Sequence, residues 1–247
     1  MKKHSKRAGV LAAFTLTELM VVIVIIAVLS AIVFSVSKYA KKAGESATCL
    51  NRLRQVGTIL SSRAVENNNR YQVFAGGSGS FEYRPYIILR DELDLPASPS
   101  SAHYETLKNV MFCPSGPGAH SEPKNPHWTC YGVNIADSDL AGSKWITESV
   151  KDSSGRSGNL SVLRPSSVRS PSRCVLVADS CTNDGSEIFR IKGGDRIGMR
   201  HNGKANAIFL DGSARSLGKN DLGQLGFDKA YDTSGSPPTL VSLPSPE

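Results

Sequence analysis

A long apolar run near the N-terminus constrains this chain more than any other feature. Residues 14–36 contain one charged side chain, Glu18, and are otherwise apolar or carry a hydroxyl group. As an α-helix rising about 1.5 Å per residue, the run is about 35 Å long, which is enough to cross the hydrocarbon core of a bilayer. We therefore predict a single transmembrane helix over residues 14–36.

The residues before this run carry a cluster of positive charges. Lys2, Lys3, Lys6 and Arg7 lie in residues 1–13 with no acidic residue among them. The chain has a net charge of +7, and without these four residues +3 remains. The basic balance is therefore a property of the N-terminus, and no nucleic-acid partner is predicted. The positive-inside rule keeps residues 1–13 in the cytoplasm and the rest of the chain on the other side.

Three interpretations fit the apolar run: a secretory signal peptide, a plain membrane anchor, and a leader that is cut before the run. A signal peptide has an apolar region of about 7–15 residues, shorter than this one. A plain anchor does not need Glu18, because a charged side chain within the bilayer costs about 2.5–3.5 kcal/mol. Cleavage between Ala13 and Phe14 would create an amine at Phe14, four residues before Glu18 and on the same helix face.

The segment AAFTLTELMVVIVIIAVLSAI, residues 12–32, resembles the N-terminal signature of type IV pilins and type II secretion pseudopilins. Ala13 stands where that family usually has Gly. The resemblance implies that a prepilin peptidase cuts after Ala13 and that Phe14 is then N-methylated. It also implies that Glu18 is the residue through which neighbouring subunits assemble.

A second resemblance lies far along the chain. His201 and Asp211 are separated by nine residues, and Gly212 follows. This matches the H-X9-DG motif of prepilin-type proteins of the planctomycete and verrucomicrobial type. Residues 49–57, CLNRLRQVG, also resemble a segment common in these proteins.

The resemblance implies a structural subunit of a type II secretion pseudopilus or a type IV pilus-like filament. The implied partners are prepilin peptidase, other pilin or pseudopilin subunits and the assembly machinery of the inner membrane. The chain would cross the inner membrane once, with its head in the periplasm or in an extracellular filament. Two alternatives are a membrane-anchored binding protein that never polymerises and a membrane-anchored enzyme.

The fold predicted is α+β, with a long helix over residues 14–65 packed on a small antiparallel sheet with long loops. Apolar residues repeat at helical spacing through residues 37–66, so this half is expected to be amphipathic. Residues 67–232 form the globular head, and residues 233–247 are expected to be a flexible tail.

Several segments of the head have recognisable patterns. Residues 173–179 and 205–210 are predicted to be strands, and Asp211-Gly212 is predicted to be a hairpin turn before a return strand over 213–217. Residues 110–114 are predicted to be a short strand. Residues 137–160 are expected to be mostly loop.

The chain has five cysteines, Cys49, Cys113, Cys130, Cys174 and Cys181, none spaced as C-x-x-C. The spacing therefore does not indicate a zinc ribbon or a redox pair. The family resemblance implies a disulfide between Cys49 and Cys113. The alternative is that both are buried free thiols.

An enzyme hypothesis rests on Asp179, His201 and Asp211, which are candidates for an acid–base or metal cluster. A structural His–Asp contact is the favoured interpretation, because Asp211 is already explained by the hairpin turn. The spacing of Asp221 and Asp228 matches no calcium-binding loop. No catalytic residue, metal or cofactor is therefore predicted.

Overall fold

The computed structural model describes residues 15–77, 83–96, 101–121, 129–135, 144–151, 154–192 and 196–246. The chain divides into two compact units, Met1–Lys41 and Lys42–Glu247. The leader over residues 1–13, the expected cut between Ala13 and Phe14, and Phe14 itself lie outside the described residues.

Helix α1 is a single α-helix, Leu16–Glu66, as the sequence predicts. It ends at three asparagines, two of which, Asn68 and Asn69, have φ values of 57° and 56°. Asn tolerates this left-handed conformation better than most residues. The amide of Arg70 then donates back to the carbonyl of Ala64 at 3.0 Å, which satisfies a carbonyl of the last helical turn.

The remaining described elements are short. Three further helices follow: α2 (Pro85–Glu92), α3 (Ser101–Met111) and α4 (Lys219–Gln224). The strands are β1 (Tyr71–Gly77), β2 (Gly132–Asn134), β3 (Ile146–Lys151), β4 (Ser157–Leu163), β5 (Val175–Ala178), β6 (Arg190–Ile191), β7 (Gly198–Met199), β8 (Ala205–Phe209), β9 (Ala214–Leu217), β10 (Lys229–Asp232) and β11 (Thr239–Ser242). The α+β class predicted from the sequence is confirmed.

The strands form three small sheets rather than one. Their orders are β1-β4-β3, β11-β10-β7 and β6-β2-β5-β8-β9. The first is antiparallel throughout, as predicted. The other two each contain one parallel pair, β10 with β7 and β2 with β6, so the head is mixed rather than purely antiparallel.

The second half of α1 presents a buried stripe to the head. Its members are Cys49, Leu53, Val56, Leu60 and Ala64, each at most 4% exposed. Their spacing of three or four residues places them on one helix face. The stripe begins later than the sequence pattern predicts, because Ala43 and Ala47 are exposed.

Strand β8 is buried on both faces, and its side chains alternate between two parts of the core. Ile208 belongs to the core that contains the α1 stripe, and Asn206 also points to α1, donating to the Ser46 carbonyl at 3.1 Å. Ala205, Ala207 and Phe209 belong to the second core, which includes Leu222 of α4. Successive strand residues face opposite sides of a sheet, so β8 joins the two cores.

Two segments of the head differ from the sequence-based expectations. Residues 110–111 end helix α3, so the strand predicted over residues 110–114 is absent there. Two strands, β3 and β4, lie within or overlap residues 137–160, which were expected to be loop.

The C-terminal segment also differs from the expected flexible tail. Strand β11 pairs antiparallel with β10, and the amide of Leu243 donates to the carbonyl of Asp228 at 2.8 Å. Leu243 is 9% exposed and lies in the second core. The segment is polar and rich in proline, but it contains a few apolar residues. One of them, Leu243, directly follows β11 and packs in the second core.

Candidate functional site

Glu18 forms hydrogen bonds with Thr15 at the start of α1. The Thr15 amide and hydroxyl both donate to Glu18 Oε2, at 2.9 and 2.8 Å. The Glu18 amide in turn donates to the Thr15 hydroxyl at 3.3 Å. This reciprocal arrangement is a capping box, formed by Thr at the N-cap and Glu three residues later. The T-x-x-E pattern of residues 15–18 is visible in the sequence but was not among the predicted features.

The part of α1 that follows is apolar and exposed. Every residue from Thr15 to Phe34 is exposed, and α1 is long and apolar enough to cross a membrane. A membrane anchor and a signal sequence both have these properties. Large apolar side chains exposed over five helical turns mark a surface that lipid or other protein chains cover.

A second feature lies in the interior of the head, where four side chains with metal-binding atoms meet. We call Cys49, Cys113, Asp179 and His201 the buried cluster. Their sulfur, nitrogen and oxygen atoms all lie within 4.8 Å of one another. The four residues are 0–5% exposed.

Each member of the buried cluster comes from a different part of the chain. Cys49 belongs to the buried stripe of α1, and Cys113 follows helix α3. Asp179 directly follows β5, and His201 lies in the turn between β7 and β8. The pairing of β5 with β8 brings Asp179 beside the start of β8, where the Asn206 amide donates to Asp179 Oδ2 at 2.8 Å.

Asp179 is the centre of the hydrogen bonds in the cluster. The Cys49 thiol donates to Asp179 Oδ1 at 3.1 Å, and His201 Nε2 lies 3.2 Å from Asp179 Oδ2. The Cys113 sulfur lies 3.3 Å from the same His201 nitrogen. Tyr131 adds a donor from outside the cluster, with its hydroxyl 3.4 Å from the Cys49 sulfur.

Burial and the Asp179 carboxylate control the charges of the cluster. Burial acts to lower the pKa of His201, but hydrogen bonds to Asp179 and Cys113 and the Asp179 charge raise it to about 10. Burial raises the pKa of the Cys113 thiol well above its usual value, and it also raises the pKa of the Cys49 thiol. Burial therefore favours the neutral form of both thiols, and the contacts with Asp179 and Cys113 favour the protonated form of His201.

Two glycines in the loop after Cys113 leave room for the buried side chains that pack against it. A side chain on Gly116 would lie 1.8 Å from Glu187 Oε1, and one on Gly118 would lie 2.3 Å from the Phe112 ring. The Gly118 amide donates to Glu187 Oε2 at 3.2 Å. Glu187 is 2% exposed, so the glycines admit a buried carboxylate that holds the loop in place.

The arrangement does not match a Cys–His–Asp catalytic triad. In a triad, one imidazole nitrogen serves the nucleophile and the other donates to the carboxylate. Here Cys113 and Asp179 both lie against His201 Nε2, while Nδ1 is buried without a partner among the residues that the structure describes. The geometry instead brings four ligand atoms towards one another.

Asp211 is not part of this cluster. It follows β8, whereas His201 precedes it, and a strand of five residues is about 16 Å long. Its Oδ1 accepts from the Ser213 amide at 2.9 Å and from the Ser213 hydroxyl at 2.7 Å, and Gly212 has φ +82°. The predicted hairpin turn is confirmed, and of the three residues in the enzyme hypothesis the structure brings together only Asp179 and His201.

The structure also bears on the cysteines. All five are buried in the reduced form, and the sulfur atoms of Cys49 and Cys113 lie within 4.8 Å of each other. The implied disulfide stays a prediction. The cysteine pair and the His201–Asp179 contact were predicted separately, because no local pattern in the sequence links them. Asn206, a polar residue within the apolar run of β8, was the sequence signal that a polar group lies buried here.

Comparisons with protein-family models, with curated proteins and with solved structures find no match for this chain.

Proposed function

We propose that this chain is a pilin-like or pseudopilin-like structural subunit. It is processed by prepilin peptidase between Ala13 and Phe14 and assembled into a type II secretion pseudopilus or a type IV pilus-like filament. The observation that carries the proposal is helix α1. Its apolar first part is exposed and begins with an acid, whereas its second part is fixed to a folded head.

The exposed apolar surface suits two environments in succession. In the inner membrane, lipid covers the apolar part of α1 before assembly. In a filament, the same side chains of neighbouring subunits cover one another, since an apolar helix surface packs equally well in a protein core. The basic residues before the cut keep the N-terminus in the cytoplasm, so the head lies in the periplasm.

Glu18 provides a specific contact within this apolar bundle. Cleavage creates an amine at Phe14, and the Glu18 carboxylate of a neighbouring subunit can pair with it. In a low-dielectric environment such a pair is strongly favoured over either charge alone. This contact sets the register of one helix against the next.

The capping box offers a competing explanation for Glu18, and two variants separate the explanations. Glu18→Ala removes both the cap and the intersubunit charge. Thr15→Ala removes the Thr15 hydroxyl contacts but keeps the carboxylate. We expect Glu18→Ala to abolish filament formation or secretion while membrane insertion stays normal, and Thr15→Ala to retain most of both activities.

The measurements are filament or secretion assays in cells, with membrane fractionation as the control for insertion. Equal loss in both variants would assign Glu18 to helix capping alone. Normal assembly of Glu18→Ala would contradict the proposed role of Glu18 in assembly.

A further inference from the structure

The buried cluster has the composition of a zinc site. Zn²⁺ in proteins is bound by Cys sulfur, His nitrogen and carboxylate oxygen, and structural sites take four such ligands in a tetrahedron. Two thiols, one imidazole and one carboxylate supply four ligand atoms. Soft thiolates together with imidazole favour Zn²⁺ over Mg²⁺ or Ca²⁺, which prefer oxygen ligands.

The distances also suit a zinc ion. Zinc bonds of about 2.0–2.3 Å place the ligand atoms of a tetrahedron about 3.3–3.8 Å apart. In the structure, the separations are 3.1 Å from the Cys49 sulfur to Asp179 Oδ1, 3.2 Å from Asp179 Oδ2 to His201 Nε2, and 3.3 Å from the Cys113 sulfur to His201 Nε2. No pair exceeds 4.8 Å, so the widest pair needs to close by at most about 1 Å.

Surrounding groups orient the ligands in the way that metal sites require. Ligating carboxylates are usually held by further hydrogen bonds. The Asn206 amide holds Asp179 Oδ2, which leaves Oδ1 facing Cys49. The Tyr131 hydroxyl points at the Cys49 sulfur, where it can stabilise a thiolate.

His201 can offer one ring nitrogen to a metal. Nε2 faces both Cys113 and Asp179, whereas Nδ1 is buried with no partner in the described part of the chain. A metal on Nε2 would leave Nδ1 to carry the proton of a neutral imidazole, which in metal sites usually donates to a carbonyl, a carboxylate or water.

A cleft reaches the loops that carry two of the ligands. Its lining includes Ser115 and Gly116, just after Cys113, and Arg200 and Asn202 on either side of His201. The cleft therefore lies next to His201 and close to Cys113 along the chain, on loops rather than on the packed helix and sheet.

We propose that the buried cluster binds one Zn²⁺ ion through Cys49, Cys113, Asp179 and His201. On binding, the two thiols and Nε2 of His201 lose their protons to solvent, and the two sulfur atoms, Nε2 and one Asp179 oxygen bond to zinc with no change in oxidation state. The ion links α1, the loop after α3, the end of β5 and the turn before β8, so its role is to hold the head on α1. The inference is independent of the proposed function in filaments.

The test uses the full chain, purified in detergent after expression with zinc in the medium. We expect about one zinc ion per chain by elemental analysis, retained on dialysis. Cobalt in place of zinc should give thiolate-to-metal charge-transfer bands and the visible bands of a tetrahedral site. Removal of zinc by a strong chelator should lower the melting temperature.

Variants locate the site. Cys49→Ser, Cys113→Ser and His201→Ala should each lose the zinc. Cys174→Ser is the matched control, because Cys174 is a buried thiol at the opposite end of β5 from Asp179, and it should retain the zinc. Retention of full zinc binding by Cys113→Ser would overturn the proposal.

If the variants do not fold, a count of the free thiols in the wild-type protein provides a second test. Its thiols are alkylated after denaturation in the presence of chelator and without reductant, and then counted by mass spectrometry. Five alkylated thiols together with bound zinc before denaturation support the proposal. A folded chain without zinc, or a Cys49–Cys113 disulfide with only three alkylated thiols, overturns it.

Discussion

Asp179 connects three distant parts of the head through its two carboxylate oxygens. One oxygen accepts from Cys49 on α1, and the other contacts His201 and accepts from the amide of Asn206 on β8. A fully buried carboxylate is expensive unless such partners surround it. Its position directly after a buried apolar strand was visible in the sequence, but its partners lie 22 to 130 residues away.

This separation explains why the buried cluster could not be predicted. Local patterns report on neighbours within a few residues, and they predicted the Asp211-Gly212 turn correctly. They could not predict that the two cysteines lie against the His–Asp pair, because that contact depends on the packing of α1 against β5 and β8.

At the residue scale, the hairpin turn gives a testable case. Gly212 has φ +82°, and open space surrounds it, so conformation rather than packing limits substitution. We expect Gly212→Ala to lower the free energy of unfolding by about 1 kcal/mol, because a β-carbon disfavours this conformation. Gly212→Asn is larger but tolerates positive φ, so it should cost less.

Urea unfolding of the detergent-purified chain, followed by circular dichroism, measures the difference between the two variants. Equal losses, or a larger loss for Asn, would mean that side-chain size and not backbone conformation matters at this turn.

At the scale of the elements, α1 packs closely against β8 at a glycine. A β-carbon added at Gly57 would lie 2.3 Å from Cδ1 of Ile208, which is 3% exposed. From sequence alone, a glycine within a helix indicates only a lower helix propensity. In the structure, the missing side chain is what lets the strand approach the helix.

Gly44 provides a control within the same helix, because nothing lies within 4 Å of a β-carbon built there. Gly44→Ala should raise the free energy of unfolding by about 0.5–1 kcal/mol through helix propensity. Gly57→Ala should lower it by about 1–3 kcal/mol through overpacking against Ile208. The unfolding midpoints of both variants in urea provide the comparison, and a stabilised Gly57→Ala would contradict the close packing of α1 and β8.

Some elements were predictable because their patterns are local and strong. The second half of α1 has a clear apolar period, β5 and β8 are short buried apolar runs, and β9 follows a recognisable turn. Strands β3 and β11 lie in polar segments, and most of their residues are exposed or half-buried, so their backbones are fixed by pairing with β4 and β10. Pairing with a distant strand leaves little trace in composition.

At the scale of the whole molecule, each of the two units presents its own surface. The described part of Met1–Lys41 presents an apolar helix surface that begins with Glu18. The unit Lys42–Glu247 contains both apolar cores and the buried cluster. In the proposed function, the first unit serves membrane insertion and assembly, and the second is the folded head that the filament displays.

The central claim is that the chain is cut before its apolar run. The mass and N-terminal sequence of the protein purified from its own membrane test this most directly. The account predicts a chain that begins at Phe14 and carries a methyl group on its amine. A chain that begins at Met1, or one that is cut after the apolar run, would contradict it.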